Sequence, residues 1–223
     1  MKCKLFVFRH AQTFDNKNRT FSGWRDSNLT LYGIEQAHLT GMKLKKEKID
    51  YAFQSHQTRS KDTLRIALEG HKKIPIFTDD RIIERCYGTL QGKNKDEIAK
   101  EKPKWYAKVH RSYNNPPPKG ESLKMVCART ENFLHELLKF LKKHPGNAAI
   151  SCHGNSMRPI RRHFEKLSIK QMCSLENPQD RPMTYIINIP FVKKSSKGKW
   201  KSVKLPADVR LATDKRNTLK KYY

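Results

Sequence analysis

Lys4-Leu5-Phe6-Val7-Phe8-Arg9-His10 opens the chain with an apolar, β-prone run that stops at an arginine and a histidine. Far downstream, Ala148-Ala149-Ile150-Ser151-Cys152-His153-Gly154 repeats that design, with a short apolar strand, a histidine and then a small residue. Runs this continuously apolar suit strands covered on both faces, as in a parallel sheet. Both histidines then stand beyond the carboxyl ends of strands, where open α/β sheets bind their ligands.

The sequence around these two strands alternates in the same way. Tyr51-Ala52-Phe53 reads as a strand closed by Ser55, residues 74–77 as a third strand and residues 185–191 as the last clear one. Thr30 is an N-cap for a helix whose apolar spacing runs through Ile34, Ala37, His38, Gly41 and Leu44. Helices are also predicted over residues 58–68 and 156–167. A long amphipathic one over 121–143 carries Leu123, Val126, Cys127, Thr130, Phe133, Leu134, Leu137, Leu138 and Leu141 on one stripe. Residues 81–115 read as irregular, with turn signals at Gly88, Gly92 and Pro103, and end at Pro116-Pro117-Pro118. Strands alternating with helices predict a three-layer α/β/α sandwich with a mostly parallel central sheet. The expected organisation is a catalytic domain over residues 1–192 and a basic tail over 193–223, with an edge strand at 200–205.

Composition narrows the function classes. The chain of 223 residues holds 47 Lys+Arg against 21 Asp+Glu, and a net charge of +26 draws anions to any cleft. No apolar run approaches the roughly 18 residues of a membrane span, and the apolar N-terminal stretch is too short for a signal peptide. Five scattered cysteines lack metal-ligand spacing and fit a reduced cytoplasmic thiol set. Membrane, disulfide-scaffold and zinc-finger readings are set aside. The tail has 11 Lys+Arg and reads either as a nonspecific polyanion contact or as solvated surface. Charge alone does not choose between a small phosphate and a long one.

Two histidines with Arg9 and Arg59 nearby could surround a phosphoryl group with positive charge and N–H donors. A neutral imidazole attacks phosphorus and leaves a labile phosphoramidate. At this point larger motifs come into view. Arg9-His10-Ala11-Gln12-Thr13-Phe14-Asp15-Asn16 and Phe21-Ser22-Gly23-Trp24-Arg25-Asp26 resemble the opening of the cofactor-dependent phosphoglycerate mutases of the histidine phosphatase superfamily. Glu84-Arg85-Cys86-Tyr87-Gly88-Thr89-Leu90-Gln91-Gly92-Lys93-Asn94-Lys95, His110-Arg111-Ser112-Tyr113 and His153-Gly154-Asn155-Ser156-Met157-Arg158 are similar to three further motifs.

That resemblance implies a phosphohistidine at His10, with Arg9, Arg59 and His153 holding the phosphoryl oxygens and Glu84 shuttling the proton. It implies Asn16, Ser22, Gly23, Tyr87, Lys95, His110, Arg111, Gly154 and Asn155 around a small phosphorylated substrate. It further implies 2,3-bisphosphoglycerate as phosphoryl primer and no metal; a homodimer is allowed for. The chain departs from the family pattern at Ala11, Cys86 and His110, which replace a glycine, a histidine and an arginine. It also lacks some two dozen residues between the prolines and Glu121. Because covering segments keep water from a phosphohistidine, two alternatives stay open: a metal-independent phosphatase of a small metabolite, and a catalytically weak polyanion binder.

Overall fold

Strand order decides whether the two histidines can meet. A computed structural model describes residues 2–188. In chain order these form β1 (Lys2–Arg9), α1 (Phe14–Lys17), α2 (Leu31–Leu44), β2 (Tyr51–Gln54), α3 (Thr58–Ala67), β3 (Ile76–Thr78), α4 (Lys95–Glu101) and α5 (Pro103–Val109). There follow α6 (Leu123–Lys143), β4 (Ala148–Cys152), α7 (Gly154–Glu165), α8 (Ile169–Ser174) and β5 (Met183–Asn188). The sheet order is β3-β2-β4-β1-β5, parallel throughout except for β5, which runs antiparallel to β1 at an edge.

Alternate residues of the continuous apolar runs serve opposite faces, as the pleat requires. Leu5, Val7, Phe53, Ala148 and Ile150 pack with Phe133, Leu137 and Phe140 of α6 and with Met157 and Ile160 of α7. Phe6, Phe8, Ala52 and Ala149 pack instead with Leu44 of α2 and with Leu64 and Ala67 of α3. Two helical layers therefore enclose the sheet, giving the three-layer sandwich. Phe6, Phe8 and Phe53 are fully buried, each stabilising the fold by roughly 1.5–3 kcal/mol.

Local signals held where a cap or a breaker acted. Thr30 Oγ1 accepts from Gly33 N, and Ser122 Oγ accepts from Met125 N at the start of α6. The inward face of α2 differs from the apolar spacing. Gly33, Gln36, Ala37, Thr40 and Leu44 are buried, whereas Ile34 and His38 are exposed. Close backbone packing explains this: a Cβ on Gly33 would lie 2.1 Å from Gln12 O, and one on Gly41 would lie 2.9 Å from Ala67 O. Residues 81–115, read as irregular, contain α4 and α5, and Pro103 starts a helix as its first residue. The third strand begins two residues later than expected. Residues 189–191 of the last predicted strand, the predicted edge strand at 200–205 and the tail at 193–223 lie outside the described residues. Among the described residues no helix is long and apolar enough to cross a membrane.

Candidate active site

The β1–β4 ladder pairs Arg9 with Cys152, so the next residue of each strand, His10 and His153, emerge side by side. His10 N donates to Cys152 O at 2.9 Å, and the two imidazole centroids are 5.1 Å apart. Nδ1 of His10 lies 2.8 Å from the Ala11 carbonyl, which only accepts, so Nδ1 carries the proton and Nε2 keeps its lone pair. Burial, then the charges of Arg59 and Arg9, push the His10 pKa well below its ordinary value. The result is a neutral, oriented imidazole with a free lone pair, which has the chemistry of a nucleophile. Ala11 is fully buried, avoids the positive-φ region and donates its N–H to Thr63 Oγ1, so its methyl group is accommodated.

His153 is completely buried beneath the cleft floor rather than on its wall. Its Nε2 meets Ser55 Oγ at 2.7 Å, while its Nδ1 is buried without a protein partner. Burial, then Arg59 and His10, push its pKa well down. Arg59, from the first turn of α3, is fully buried. Its Nη1 donates to Arg25 O and its Nη2 to Gly23 O, each at 2.8 Å, which leaves Nε unpartnered. Nε of Arg9 is likewise buried and unpartnered. An unsatisfied buried donor costs about 1–3 kcal/mol, more when charged. Several together beside one nucleophile describe a cradle for an anion.

Glu84 is held against this cradle by its backbone and by one carboxylate oxygen. Oε1 accepts from Arg85 N at 2.7 Å and from Asn155 N at 3.1 Å. Its carbonyl accepts from Trp24 Nε1 at 2.8 Å and from Arg129 Nη2 at 3.0 Å. Gly154 lies directly beside it: a Cβ there would make ordinary van der Waals contact with Arg9 Nε at 3.5 Å and Glu84 Oε2 at 3.6 Å. Ligating atoms of His10, Glu84 and His153 all fall within 4.8 Å of one another, a spacing compatible with a cation. The adjacent guanidinium groups of Arg9 and Arg59 make the same space far more favourable for an anion.

The cleft, of about 310 Å³, is lined by further basic groups besides those around His10. Asn16, Ser22, Gly23, Tyr87, Lys95, His110, Arg111, Gly154 and Asn155 all line it, together with Arg9, His10, Arg59 and Glu84. Asn155 occupies the first turn of α7 rather than capping it; His153 is the N-cap, and Asn155 Nδ2 donates to Tyr87 Oη at 3.0 Å. Lys95 lies over the Phe21 ring, and burial, then Arg9, lower its pKa. His110 caps α5 and stacks on Tyr106 at 4.6 Å. Burial, then Arg111 and Lys95, bring the His110 pKa down to about 4, so it is neutral at ordinary pH.

Sequence reasoning missed Gln12, Arg19, Arg158, Glu176, Asn177 and Gln179 as lining residues. Arg158 carried a signal, since it stands three residues after Asn155 on one helix face. It is nearly fully buried, its Nη1 donates to Met172 O and Cys173 O, and its Nε has no partner. The 175–182 loop gave no periodic signal. Even so, its Gln179 Nε2 donates to His10 O at 3.0 Å and to Asn16 Oδ1 at 3.1 Å.

The family model of the histidine phosphatase superfamily (branch 1) matches residues 5–187. The chain belongs to this superfamily. Among its sequence relatives, a 2,3-bisphosphoglycerate-dependent phosphoglycerate mutase of Parvibaculum lavamentivorans is 40% identical over 190 residues, covering 81% of this chain and 89% of that one. A protein of the same name from Chlamydia felis is 34% identical over 210 residues, covering 82% and 92%. Among solved structures, the α-ribazole phosphatase from Shigella flexneri superposes with a TM-score of 0.72 at 22% identity, covering 84% of this chain and 91% of that one. That similarity is one of fold. Proteins named as mutases thus stand among the sequence relatives of this chain, and a protein named as a phosphatase shares its fold.

Proposed function

We propose that this cytoplasmic enzyme interconverts 2-phosphoglycerate and 3-phosphoglycerate by phosphoryl transfer through His10. The observation that carries this reading is the cleft's pair of anion-binding ends. Unpartnered buried Nε atoms of Arg9 and Arg59 form one beside His10, and Arg158, Lys95 and Arg111, which line the same cleft, form the other. A substrate with a phosphate and a separate carboxylate fits both. The names of the two relatives support the same reading.

In this mechanism the lone pair on His10 Nε2 attacks phosphorus, a P–N bond forms and the P–O ester bond breaks. Glu84, protonated, delivers its proton to the leaving alkoxide. In the return step it takes a proton from the other hydroxyl as that oxygen attacks the phosphohistidine. Arg9 and Arg59, backed by the buried His153, hold the equatorial oxygens and stabilise the charge spread over them, the role a metal ion serves in other phosphoryl transfers. When bound, 2,3-bisphosphoglycerate would supply the first phosphoryl group, and the two basic ends fit its two phosphates.

A second reading, hydrolysis of a small phosphate ester, is favoured by one observation. The connection after the three prolines is short and tucked down: Thr89 N donates to Pro118 O, and Glu121 N donates to Cys86 O at 2.9 Å. It therefore offers little cover against water. A paired assay on 3-phosphoglycerate with a trace of 2,3-bisphosphoglycerate, following 2-phosphoglycerate and free phosphate together, separates the two. Isomerised product in excess over phosphate supports the mutase; phosphate alone rejects it. His10→Ala should abolish both products, together with any acid-labile phosphoryl label on the protein.

A further inference from the structure

Arg111 and Glu176 face each other across the mouth of the cleft, one from the segment after α5, the other from the 175–182 loop. Arg111 Nη2 donates to Glu176 Oε1. Side-chain exposures of 40% and 73% keep this pair in contact with water, where an ion pair is weak and easily exchanged. The loop itself is fixed. Asn177 Nδ2 donates to Gly154 O at 2.8 Å, and Gln179 bonds to His10 O and Asn16 as described above. Among the described residues lining the cleft, Glu84 and Glu176 are the acids. Glu84 sits at the nucleophile's end. Burial lowers the guanidinium pKa values of Arg9 and Arg158, and the negative charge of Glu176 works against that lowering at both. Its carboxylate therefore acts inside the cleft's field and not merely on the outer surface.

The geometry points to Glu176 as a specificity-determining residue: its carboxylate occupies Arg111 until an anionic group at the far end of the substrate displaces it. This rests on the two-anion reading of the cleft. A ligand with a distal anion exchanges partners with Glu176 and gains Arg111, at the expense of the resident pair. A phosphate ester with an uncharged tail leaves the pair closed and gains nothing there. Glu176 thereby moderates the affinity for substrate and product alike and keeps the distal end from becoming an indiscriminate anion trap.

The test is equilibrium binding, by calorimetry, of 3-phosphoglycerate and of glycerol 3-phosphate, in which a hydroxymethyl group replaces the carboxylate. The proteins are the full chain and its Glu176→Gln, Arg111→Ala and doubly substituted variants. Glu176→Gln should tighten 3-phosphoglycerate by roughly two- to five-fold, the worth of an exposed ion pair. It should leave glycerol 3-phosphate unchanged, and the gain should vanish in the Arg111→Ala background. Weaker 3-phosphoglycerate binding in Glu176→Gln would make the acid a support for Arg111 and overturn the proposal, as would equal effects on both ligands. A wild-type chain that binds the two ligands alike overturns the two-anion reading and the proposal together. Preference for 3-phosphoglycerate that is unmoved by Glu176→Gln overturns this inference alone.

Discussion

Ser55 Oγ lies 2.7 Å from Nε2 of His153, and this contact fixes the orientation of the buried His153 ring beside His10. Ser55 Oγ also accepts the Gln57 N–H, which holds the hydroxyl in place. With Nε2 engaged by Ser55, Nδ1 is the ring atom buried without a hydrogen-bond partner. Ser55, at the end of β2, is a positioning residue acting through His153.

Ser55→Ala should therefore lower kcat by roughly 10- to 100-fold, less than the roughly 10²–10³ that removal of a transition-state donor itself costs. KM should move little, and Ser55→Thr should recover most of the rate because it restores the hydroxyl. Steady-state kinetics on the three proteins, with unfolding midpoints measured alongside, separate this from a packing defect. If Ala and Thr variants lose rate equally while remaining folded, the Ser55 hydroxyl does not position His153.

Glu84→Gln keeps the hydrogen bonds from Arg85 N and Asn155 N but cannot carry a proton. Turnover of 3-phosphoglycerate should fall by roughly 10²–10⁴. A p-nitrophenyl phosphate ester has a leaving group that needs no proton, so its rate of phosphoryl transfer to His10 should fall far less. Equal losses on the two substrates would remove Glu84 from the proton-transfer role and leave it a structural anchor.

The two ends of the cleft differed in how much of them the sequence revealed. His10 and His153 follow continuous apolar runs, and parallel pairing of such runs in register brings their ends together. Glu84 sat within a motif whose Tyr87 and Lys95 also line the cleft, Arg59 stood at the start of the helix predicted over residues 58–68, and Arg158, though missed, stood at helical spacing from Asn155. Glu176, Asn177 and Gln179 were missed because their positions depend on how α8 and the following loop fold back on β1. That is a long-range relation with no local pattern. The depth of His153 was also out of reach, since burial beneath a neighbouring ring comes from packing rather than order along the chain. The face of α2 was misjudged because its contacts are made by glycines and Gln36, residues that apolar spacing does not count.

Three histidines, His10, His110 and His153, are kept neutral by burial and by neighbouring cations. An unfolded histidine protonates near 6.5. The unfolded chain therefore binds more protons than the folded one as the pH drops, and stability falls with it. For His110 the loss spans the interval from about 6.5 down to about 4. Urea unfolding at pH 7.5 and pH 5 should show a lower midpoint at pH 5, and His110→Gln should narrow the gap. An unchanged gap would mean that His110 is protonated in the folded chain.

His110→Arg tests what the far end lacks. A histidine with an ordinary pKa at this position would make substrate affinity weaken as the pH rises through about 6.5. With that pKa at about 4, the side chain is already neutral from pH 6 to 9, and KM should show no His110 titration there. A guanidinium at this position is permanent, and it would join Arg111, Lys95, Arg85 and Arg158, the groups that already repel a proton from His110. Their mutual repulsion should lower the unfolding midpoint of the free variant, and an anion bound among them should relieve it. A hydrogen bond to a charged group is worth about 1.5–3 kcal/mol, part of which neutral His110 already supplies. KM for 3-phosphoglycerate should therefore fall several-fold at pH 7–8. The advantage should shrink toward pH 5, where a bound anion helps His110 take up a proton. Tighter holding of the substrate's far end should also raise the ratio of isomerised product to free phosphate, because the acceptor hydroxyl then competes better with water. If KM and product ratio both stay at the wild-type values while the midpoint drops, the residue at 110 serves its stack on Tyr106 and not the substrate. The case for water reaching the phosphohistidine would then rest on the short connection after Pro118 alone.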